Sequence, residues 1–264
     1  MRPVNVSAAG AQQYYYEKDP ILNSGGKNLN TFFYGQSGEK LGLEKNSKIT
    51  KEQFERLCEG KDPISGKQLI QSAIDPSAKT EHRGATDIPF SASKSFSIAA
   101  LVHGEKNILD IHNSTVKETM SRMEAEYAFA RDAQGKPVYT GNMVFAGAIH
   151  STSRANDPQI HTHVLAMNMT ERPDGKWVAT HNDAIFRDQK YITSIYRSVL
   201  SAKMLDAGYQ LDSRGELIGV PKDLIENFSK RRAQIEKTEK ELKEKGGIKN
   251  DGLRNKKATL ESRP

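Results

Sequence analysis

The chain has 264 residues, a net charge of +6 and a sequence pI of about 9.2. This length allows a sizeable core, and the basic balance favours an acidic partner, with nucleic acid as the first candidate. The single cysteine, Cys58, excludes an intramolecular disulfide and indicates a reducing compartment. No run of 18 apolar residues occurs, so the sequence predicts no membrane span. The N-terminus also lacks the apolar core of a secretory signal.

The N-terminal segment carries three consecutive tyrosines, Tyr14, Tyr15 and Tyr16. Residues 3–6 predict a short strand, and the tyrosines follow on a predicted helix. Consecutive helical side chains point about 100° apart, so the three hydroxyls cannot share one role. A tyrosine cluster is more often part of a core or an interface than of a catalytic site.

The next hundred residues predict an aromatic segment between loops, two helices and one strand. The aromatic segment is 32–34. A capping box at 50–53 opens the first helix, which ends at Cys58. Residues 86–90 form the predicted strand, which contains Asp87, and a helix follows from 91 to 102. Asp87 is suited to accept a hydrogen bond from a metal-binding imidazole.

Periodic patterns predict the remaining elements. Apolar residues at every third or fourth position indicate an amphipathic helix over 110–131. A strand over 176–180 is expected to continue an antiparallel meander, and a helix is expected over 183–206. A charged helix is predicted over 228–245, and the stretch after Gly246 is expected to be flexible unless a ligand orders it. From Lys222 onward the chain has 13 basic and 8 acidic residues, which favours either a phosphate-binding or a solvated segment.

Three of the seven histidines, His150, His161 and His163, lie close together in the sequence. His161 and His163 stand in a run of β-branched and apolar residues that predicts a strand, so both point to the same face. Residues 143–150 predict a second strand, and the polar residues 151–159 a connecting loop. In a hairpin of these strands the three imidazoles converge on one face, which suits an open divalent-metal site. The alternative is a half-buried strand with two solvent-facing polar residues.

Several motifs occur in one order along the chain. They are the tyrosine pair before an acidic and basic run at 14–19, Gly-x-x-x-Glu-x-Leu-Gly-Leu at 35–43, Asp-x-x-Phe-Ser-Ala-x-Lys-Ser at 87–95, His-x-Thr-Ser-Arg at 150–154, Asp-Pro-Gln-Ile-His-Thr-His at 157–163 and Phe-Ser-Lys-Arg at 228–231. Together they resemble the N-terminal relaxase domain of conjugative-plasmid relaxases of the TrwC/TraI type. This is the MobF family of histidine-hydrophobe-histidine endonucleases, and the resemblance covers nearly the whole chain.

The resemblance implies an α+β fold. Helices pack on a central antiparallel sheet that carries the three-histidine metal site, and a C-terminal helical segment closes over the DNA. Residues 1–264 are expected to form a single relaxase domain, with a catalytic core at 1–220 and a basic helical segment at 221–264. Relatives continue into a helicase, so the chain is expected to be a fragment of a longer relaxase–helicase.

The resemblance also implies the chemistry of a site- and strand-specific DNA endonuclease and strand transferase. A tyrosine attacks a phosphodiester at the transfer origin of a conjugative plasmid, forms a 5′-phosphotyrosine and releases a 3′-hydroxyl. Alignment on Tyr-Tyr-x-x-Lys-Asp places this nucleophile at Tyr14, which we prefer, and alignment on Tyr-Tyr-Glu places it at Tyr15. Asp87 matches an acid that orients a metal-binding histidine or helps to remove the tyrosine proton. The second tyrosine pair of the relatives is replaced here by residues 20–22, Pro-Ile-Leu.

The expected cofactor is a divalent metal, Mg²⁺ or Mn²⁺ by preference and Zn²⁺ or Ni²⁺ as alternatives, bound by the three histidines. The expected phosphate contacts are Lys94, Arg154, Lys230, Arg231 and Arg232. The DNA partner is single-stranded or hairpin-extruded plasmid DNA at the transfer origin. Accessory relaxosome proteins and a conjugative secretion channel are expected as further partners. The expected location is the cytoplasm of a bacterial donor cell, from which the protein travels with the DNA to the recipient.

Three other functions fit parts of the same pattern. A rolling-circle replication initiator uses the same chemistry on a replication origin. A non-catalytic single-stranded-DNA-binding module would bind without metal and would not depend on Tyr14. A three-histidine metal hydrolase would cleave DNA and leave no covalent protein–DNA adduct.

Overall fold

The computed structural model describes residues 2–11, 31–70, 83–153, 155–244 and 251–262. The strands in this part of the chain are β1 (Val4–Ser7), β2 (Thr31–Tyr34), β3 (Arg83–Ser91), β4 (Phe129–Arg131), β5 (Pro137–Tyr139), β6 (Phe145–Thr152), β7 (Pro158–Met167), β8 (Thr170–Glu171) and β9 (Trp177–Val178). The helices are α1 (Gln36–Lys40), α2 (Lys51–Cys58), α3 (Lys94–Leu101), α4 (Lys106–Tyr127), α5 (Asp183–Arg187), α6 (Gln189–Asp206), α7 (Lys222–Asn227), α8 (Lys230–Glu244) and α9 (Asp251–Glu261). None of these helices is both long and apolar enough to cross a membrane.

A five-stranded sheet with the order β1-β3-β7-β6-β2 forms the centre of the protein. Every neighbouring pair in it is antiparallel. The longest strand, β7, is the middle strand and pairs with β3 on one side and β6 on the other. The predicted α+β class with a central antiparallel sheet and packed helices is therefore confirmed.

Each face of the sheet is covered by its own apolar cluster. Along β7, Ile160 and Val164 pack on one face with residues of α3, α4 and α6, whereas Leu165 and Met167 pack on the other with residues of α2. Burial of each of these side chains stabilises the fold by about 1.5–3 kcal/mol relative to exposure. Because helices cover both faces of the sheet, β7 carries apolar side chains on both of its faces, except at the histidines described below.

Local sequence signals determine where the helices that flank the sheet begin. Thr50 and Gln53 form the predicted capping box at the start of α2, and Gly60 follows its end with a positive φ of 71°. Ser93 accepts a hydrogen bond from the backbone N–H of Phe96 and so caps α3. This cap places the first turn of α3 beside the start of β7.

Two predicted boundaries in the first half of the chain differ from the structure. The aromatic segment 32–34 belongs to the edge strand β2, because Phe32 and Phe33 pair with Gly147 and Ala146 of β6. The helix predicted to reach Arg131 ends at Tyr127, and residues 129–131 form β4. The backbone and side chain of Thr140 both donate to the carbonyl of Ala128, which holds the turn that ends the helix.

Three further predictions fail in the second half. The strand expected to extend the meander is β9, which pairs only with β8 in a separate two-stranded sheet. The helix expected over 183–206 consists of α5 and α6, with a break at Asp188. The stretch after Gly246, expected to be flexible unless a ligand orders it, contains α9, a helix that the sequence analysis did not predict. Sequence periodicity missed α9 because its contacts are made with α8, a partner that local patterns do not reveal.

Candidate active site

The pairing of β6 with β7 brings the three histidines together. His150 lies directly opposite His161, and His163 lies opposite Ala148. The ring centroids form a nearly equilateral triangle, with separations of 5.1 Å between His150 and His161 and 5.2 Å for each of the other two pairs. The alternation of a strand thus places His161 and His163 on one face, as the sequence predicts.

The size of this triangle fits three imidazoles around one ion. A metal about 2.1 Å from one nitrogen of each ring, with tetrahedral angles, would hold the ring centres roughly 5 Å apart. In the described part of the chain, however, no three His, Cys, Asp or Glu side chains already stand as a complete ligand group. The spacing of the three rings therefore suits one ion, although their ligand atoms do not form a complete set in this structure.

Asp87 determines the orientation of His163. The Nδ1 atom of His163 lies 2.9 Å from each carboxylate oxygen of Asp87, and both side chains are buried. The carboxylate can only accept, so Nδ1 carries the proton and Nε2 becomes the atom suited to a metal. Similarly, the Nδ1 atom of His161 lies 3.0 Å from the backbone carbonyl of Gln159. The predicted contact of Asp87 with a histidine of the cluster is present.

The start of α3 is fastened to β7 just before the histidines. Lys94 donates from Nζ to the carbonyl of Pro158 at 2.9 Å, and Ser97 Oγ accepts from the N–H of Ile160 at 3.0 Å. Burial lowers the pKa of Lys94, and the nearby carboxylate of Asp157 opposes that shift. Lys94 therefore serves the packing of β7 in this structure, and its predicted DNA contact stays a prediction.

A carboxylate lies at the N-terminus of α3, where exposed backbone N–H groups could otherwise bind a phosphate. Glu216 accepts hydrogen bonds from the hydroxyl and the backbone N–H of Ser95. The positive end of the helix is thus already matched by a negative group of the chain itself. This arrangement favours a structural role for the N-terminus of α3.

Two groups of predicted site residues lie outside the described residues. Tyr14 and Tyr15 belong to the segment 12–30, and Arg154 is the one residue left out between β6 and β7. The strand that precedes the tyrosines is described, and it pairs Val4 with Asp87. The N-terminal strand therefore lies beside the strand that carries the acidic residue of the site.

The basic residues at the start of α8 have different environments. Lys230 is largely exposed, with Nζ 3.9 Å from the carboxylate of Asp157. Arg231 donates to the backbone carbonyls of Thr259 and Ser262 and so ties α8 to the end of α9. Arg232 pairs with Glu236 one turn further along α8 and is also exposed. Lys230 and Arg232 therefore present charge at the surface, whereas Arg231 joins two helices.

Sequence reasoning missed one group next to the histidines. Thr162, between His161 and His163, is fully buried on the other face of β7 and contacts His112 of α4. A signal was present, because His112 falls at the position expected for an apolar residue between Ile108 and Val116 on the buried face of α4. A histidine there indicates a buried polar partner.

Comparisons with known proteins agree with this architecture. The model of the TrwC relaxase family matches residues 4–264. The multifunctional conjugation protein TraI of Escherichia coli is 34% identical over 247 residues, which cover 87% of this chain and 13% of that protein. The chain thus spans only a small part of the length of this curated relative.

Solved structures of a relaxase resemble the chain over nearly its whole length. The conjugative relaxase TrwC in complex with oriT DNA, in a metal-bound form, superimposes with a TM-score of 0.82 at 30% identity, covering 99% of this chain and 90% of that one. TrwC with a 27-mer DNA that comprises the recognition hairpin and the cleavage site gives a TM-score of 0.80 at 28% identity, with the same coverage. The chain belongs to the TrwC relaxase family.

Proposed function

We propose that this chain is the relaxase domain of a longer conjugation protein and nicks one strand of DNA at the transfer origin of a plasmid. The observation that carries the proposal is the triangle of His150, His161 and His163 beside the Asp87–His163 contact. The triangle lies on the central sheet of a fold that is similar to that of a relaxase solved in complex with oriT DNA. The domain is proposed to comprise a catalytic core at 1–220 and a DNA-covering basic segment at 221–264.

The proposed reaction is a transesterification. The hydroxyl oxygen of Tyr14, or of Tyr15 in the second alignment, forms a bond to the scissile phosphorus as the bond to the 3′-oxygen breaks. The tyrosine loses its proton and the leaving 3′-oxygen gains one, so the products are a 5′-phosphotyrosine and a 3′-hydroxyl. The number of ester bonds is unchanged, and the reverse attack by a 3′-hydroxyl rejoins the strand.

The residues of the site have distinct proposed roles. Asp87 holds His163 with its proton on Nδ1, which keeps Nε2 directed toward a ligand. A divalent metal held by the three histidines would neutralise charge on the scissile phosphate. A tyrosine hydroxyl has a pKa of about 10 and is a weak nucleophile near neutral pH, so such assistance is needed. Lys230 and Arg232 are proposed to contact DNA phosphates, together with Lys94, Arg154 and Arg231.

The identity of the metal is a separate part of the proposal. Mg²⁺ and Mn²⁺ are the proposed physiological ions, with Zn²⁺ and Ni²⁺ as alternatives. By ligand preference alone, three imidazoles suit Zn²⁺ or Ni²⁺ better than Mg²⁺ or Mn²⁺, which favour oxygen ligands, so the assay below compares all four ions. The further proposed partners are accessory relaxosome proteins and a secretion channel. The proposed location is the cytoplasm of a donor cell, followed by transfer with the DNA.

An adduct assay tests the proposal. The protein is incubated with labelled single strands from the transfer region of its own plasmid, with each of the four metals or with chelator, and run on a denaturing gel. We expect a metal-dependent adduct that His161→Ala abolishes. Tyr14→Phe is expected to abolish it as well, whereas Tyr191→Phe, which alters an exposed tyrosine on α6, should leave it unchanged.

The other outcomes separate the competing functions. Loss of the adduct in Tyr15→Phe but not in Tyr14→Phe would identify Tyr15 as the nucleophile. Cleavage without an adduct would indicate a metal hydrolase, and binding without either would indicate a DNA-binding module. An adduct formed with replication-origin strands but not with transfer-origin strands would indicate a rolling-circle initiator.

A further inference from the structure

The residue between the two histidines of β7 is a threonine in an otherwise apolar row. Thr162 is fully buried and lies opposite Phe90 of β3 and Ile149 of β6. Its nearest neighbours on the same face of β7 are Ile160 and Val164, both within the apolar cluster. A hydroxyl at such a position needs a hydrogen-bond partner, because an unpaired buried polar group costs about 1–3 kcal/mol.

Two helices supply that partner. Thr162 Oγ1 lies 2.8 Å from Nε2 of His112 on α4, and Nδ1 of the same ring lies 2.8 Å from the hydroxyl of Tyr196 on α6. His112 is fully buried and Tyr196 nearly so. The three side chains form a continuous buried chain of hydrogen bonds from the metal strand to the second helix. Both nitrogens of His112 are engaged in it.

The imidazole of His112 is uncharged near pH 7. Burial, followed by the proximity of His161, lowers the pKa of His112 to about 3. A neutral imidazole donates from one nitrogen and accepts at the other, so it can join two hydroxyl groups. The pair of bonds therefore constrains the ring at both ends and fixes the distance between Thr162 and Tyr196.

The backbone geometry links this chain to the metal ligands. His161 and His163 are the two immediate neighbours of Thr162 and point to the opposite face. A rotation of β7 about its axis at Thr162 would turn both imidazoles away from His150. We infer that Thr162, His112 and Tyr196 are positioning residues for the metal site, which hold β7 at the rotation that aims His161 and His163 at one ion. The inference rests on the proposed metal role of the three histidines.

The test compares variants of the full chain that differ in the hydroxyl and in its partner. Thr162→Val keeps the shape and removes the hydroxyl, and Thr162→Ser keeps the hydroxyl. The triple variant Thr162→Val/His112→Phe/Tyr196→Phe removes every polar group of the buried hydrogen-bonded chain and so leaves none of them unpaired. The matched control is Thr119→Val, because Thr119 is a fully buried threonine whose hydroxyl donates to the carbonyl of Thr115 within its own helix, α4.

The primary readout is the dissociation constant for Mn²⁺, measured by electron paramagnetic resonance in the absence of DNA. We expect Thr162→Val and the triple variant to bind Mn²⁺ about 10-fold more weakly, the lower end of the range for residues that orient ligands. Thr162→Ser and Thr119→Val should keep the affinity of the wild type. Thermal unfolding in chelator and DNA affinity in chelator are recorded for the same samples.

The outcomes separate a positioning role from a general loss of stability. A triple variant that recovers thermal stability but still binds Mn²⁺ weakly supports the inference. Wild-type Mn²⁺ affinity in that variant, or weak binding in Thr119→Val to the same degree, overturns it. His161→Ala tests the underlying site separately, because Mn²⁺ binding that survives this change refutes the three-histidine site itself.

Discussion

At the scale of single residues, the contact between Asp87 and His163 determines which ring nitrogen of His163 is available to a metal. Asp87 comes from β3 and His163 from β7, and the two carboxylate oxygens are equidistant from Nδ1. A carboxylate in this position fixes the tautomer of the ring and leaves the other nitrogen available to a metal. The same arrangement limits rotation of the ring, because both carboxylate oxygens belong to one residue of the central sheet.

Replacing Asp87 should therefore weaken metal binding without removing a metal ligand. We expect Asp87→Ala to lower Mn²⁺ affinity by about 10- to 100-fold, and Asp87→Asn by less, because the amide oxygen still accepts. Isothermal titration of each variant measures the change. Asp132→Asn serves as the control, since Asp132 only bonds backbone N–H groups of the β4–β5 turn. Unchanged affinity in Asp87→Ala would show that His163 is oriented by other contacts.

At the scale of elements, Glu124 joins three of them. Its Oε1 atom accepts from the N–H of Gln36 at the start of α1 and from the N–H of Met143 just before β6, each at 2.8 Å. Glu124 itself lies on α4 and is buried. Burial raises its pKa, and the hydrogen bonds from Met143 and Gln36 oppose that shift. The carboxylate of Glu124 thus joins α1 and β6 to α4, although burial disfavours its charged form.

Glutamine at position 124 should keep the contacts and remove the charge. The folded protein holds the proton of Glu124 more tightly than the unfolded chain, so the wild type loses stability as pH rises from the unfolded pKa through the folded pKa. Glu124→Gln does not titrate, so we expect it to match the wild type near pH 4 and to exceed it at pH 7. Urea unfolding at both pH values measures the difference. A variant that is less stable than the wild type at pH 7 would contradict this prediction.

The elements also show where sequence reasoning succeeds and where it ends. Period-two patterning was enough to place His161 and His163 on one face, and the capping box at Thr50 was enough to begin α2. It could not reveal that His112 meets Thr162, because these residues are 50 positions apart and their contact exists only when α4 packs on the sheet. The pairing of β8 with β9, and not with the central sheet, likewise depends on tertiary packing.

At the scale of the whole molecule, the excess positive charge is concentrated at the C-terminal end. From Lys222 onward basic residues outnumber acidic ones by 13 to 8. The helices α8 and α9 lie against each other, and Arg231 joins them through the carbonyl of Thr259 in α9 and that of Ser262 just after it. Part of the charge therefore maintains the helical pair, and part remains at its surface.

This division predicts different salt dependences for DNA binding. Lys230→Ala and Arg232→Ala should each weaken binding and reduce the slope of log affinity against log salt by about 0.7, the value for one contact with a single strand. Arg231→Ala should in addition loosen α9, which far-ultraviolet circular dichroism detects as lost helix. Fluorescence anisotropy at several salt concentrations measures the slopes. An unchanged slope in both variants would show that Lys230 and Arg232 do not contact the DNA.

The strand order has a consequence for how the protein is made. The edge strands β1 and β2 leave the ribosome first, yet their partners β3 and β6 are synthesised much later. The middle strand β7 comes last of the five, so the sheet cannot close before Met167 has been added. Pairing over such long separations is slow, and an unpaired strand edge invites aggregation. Both early strands have four residues, so the nascent chain exposes few backbone groups that could pair with another chain.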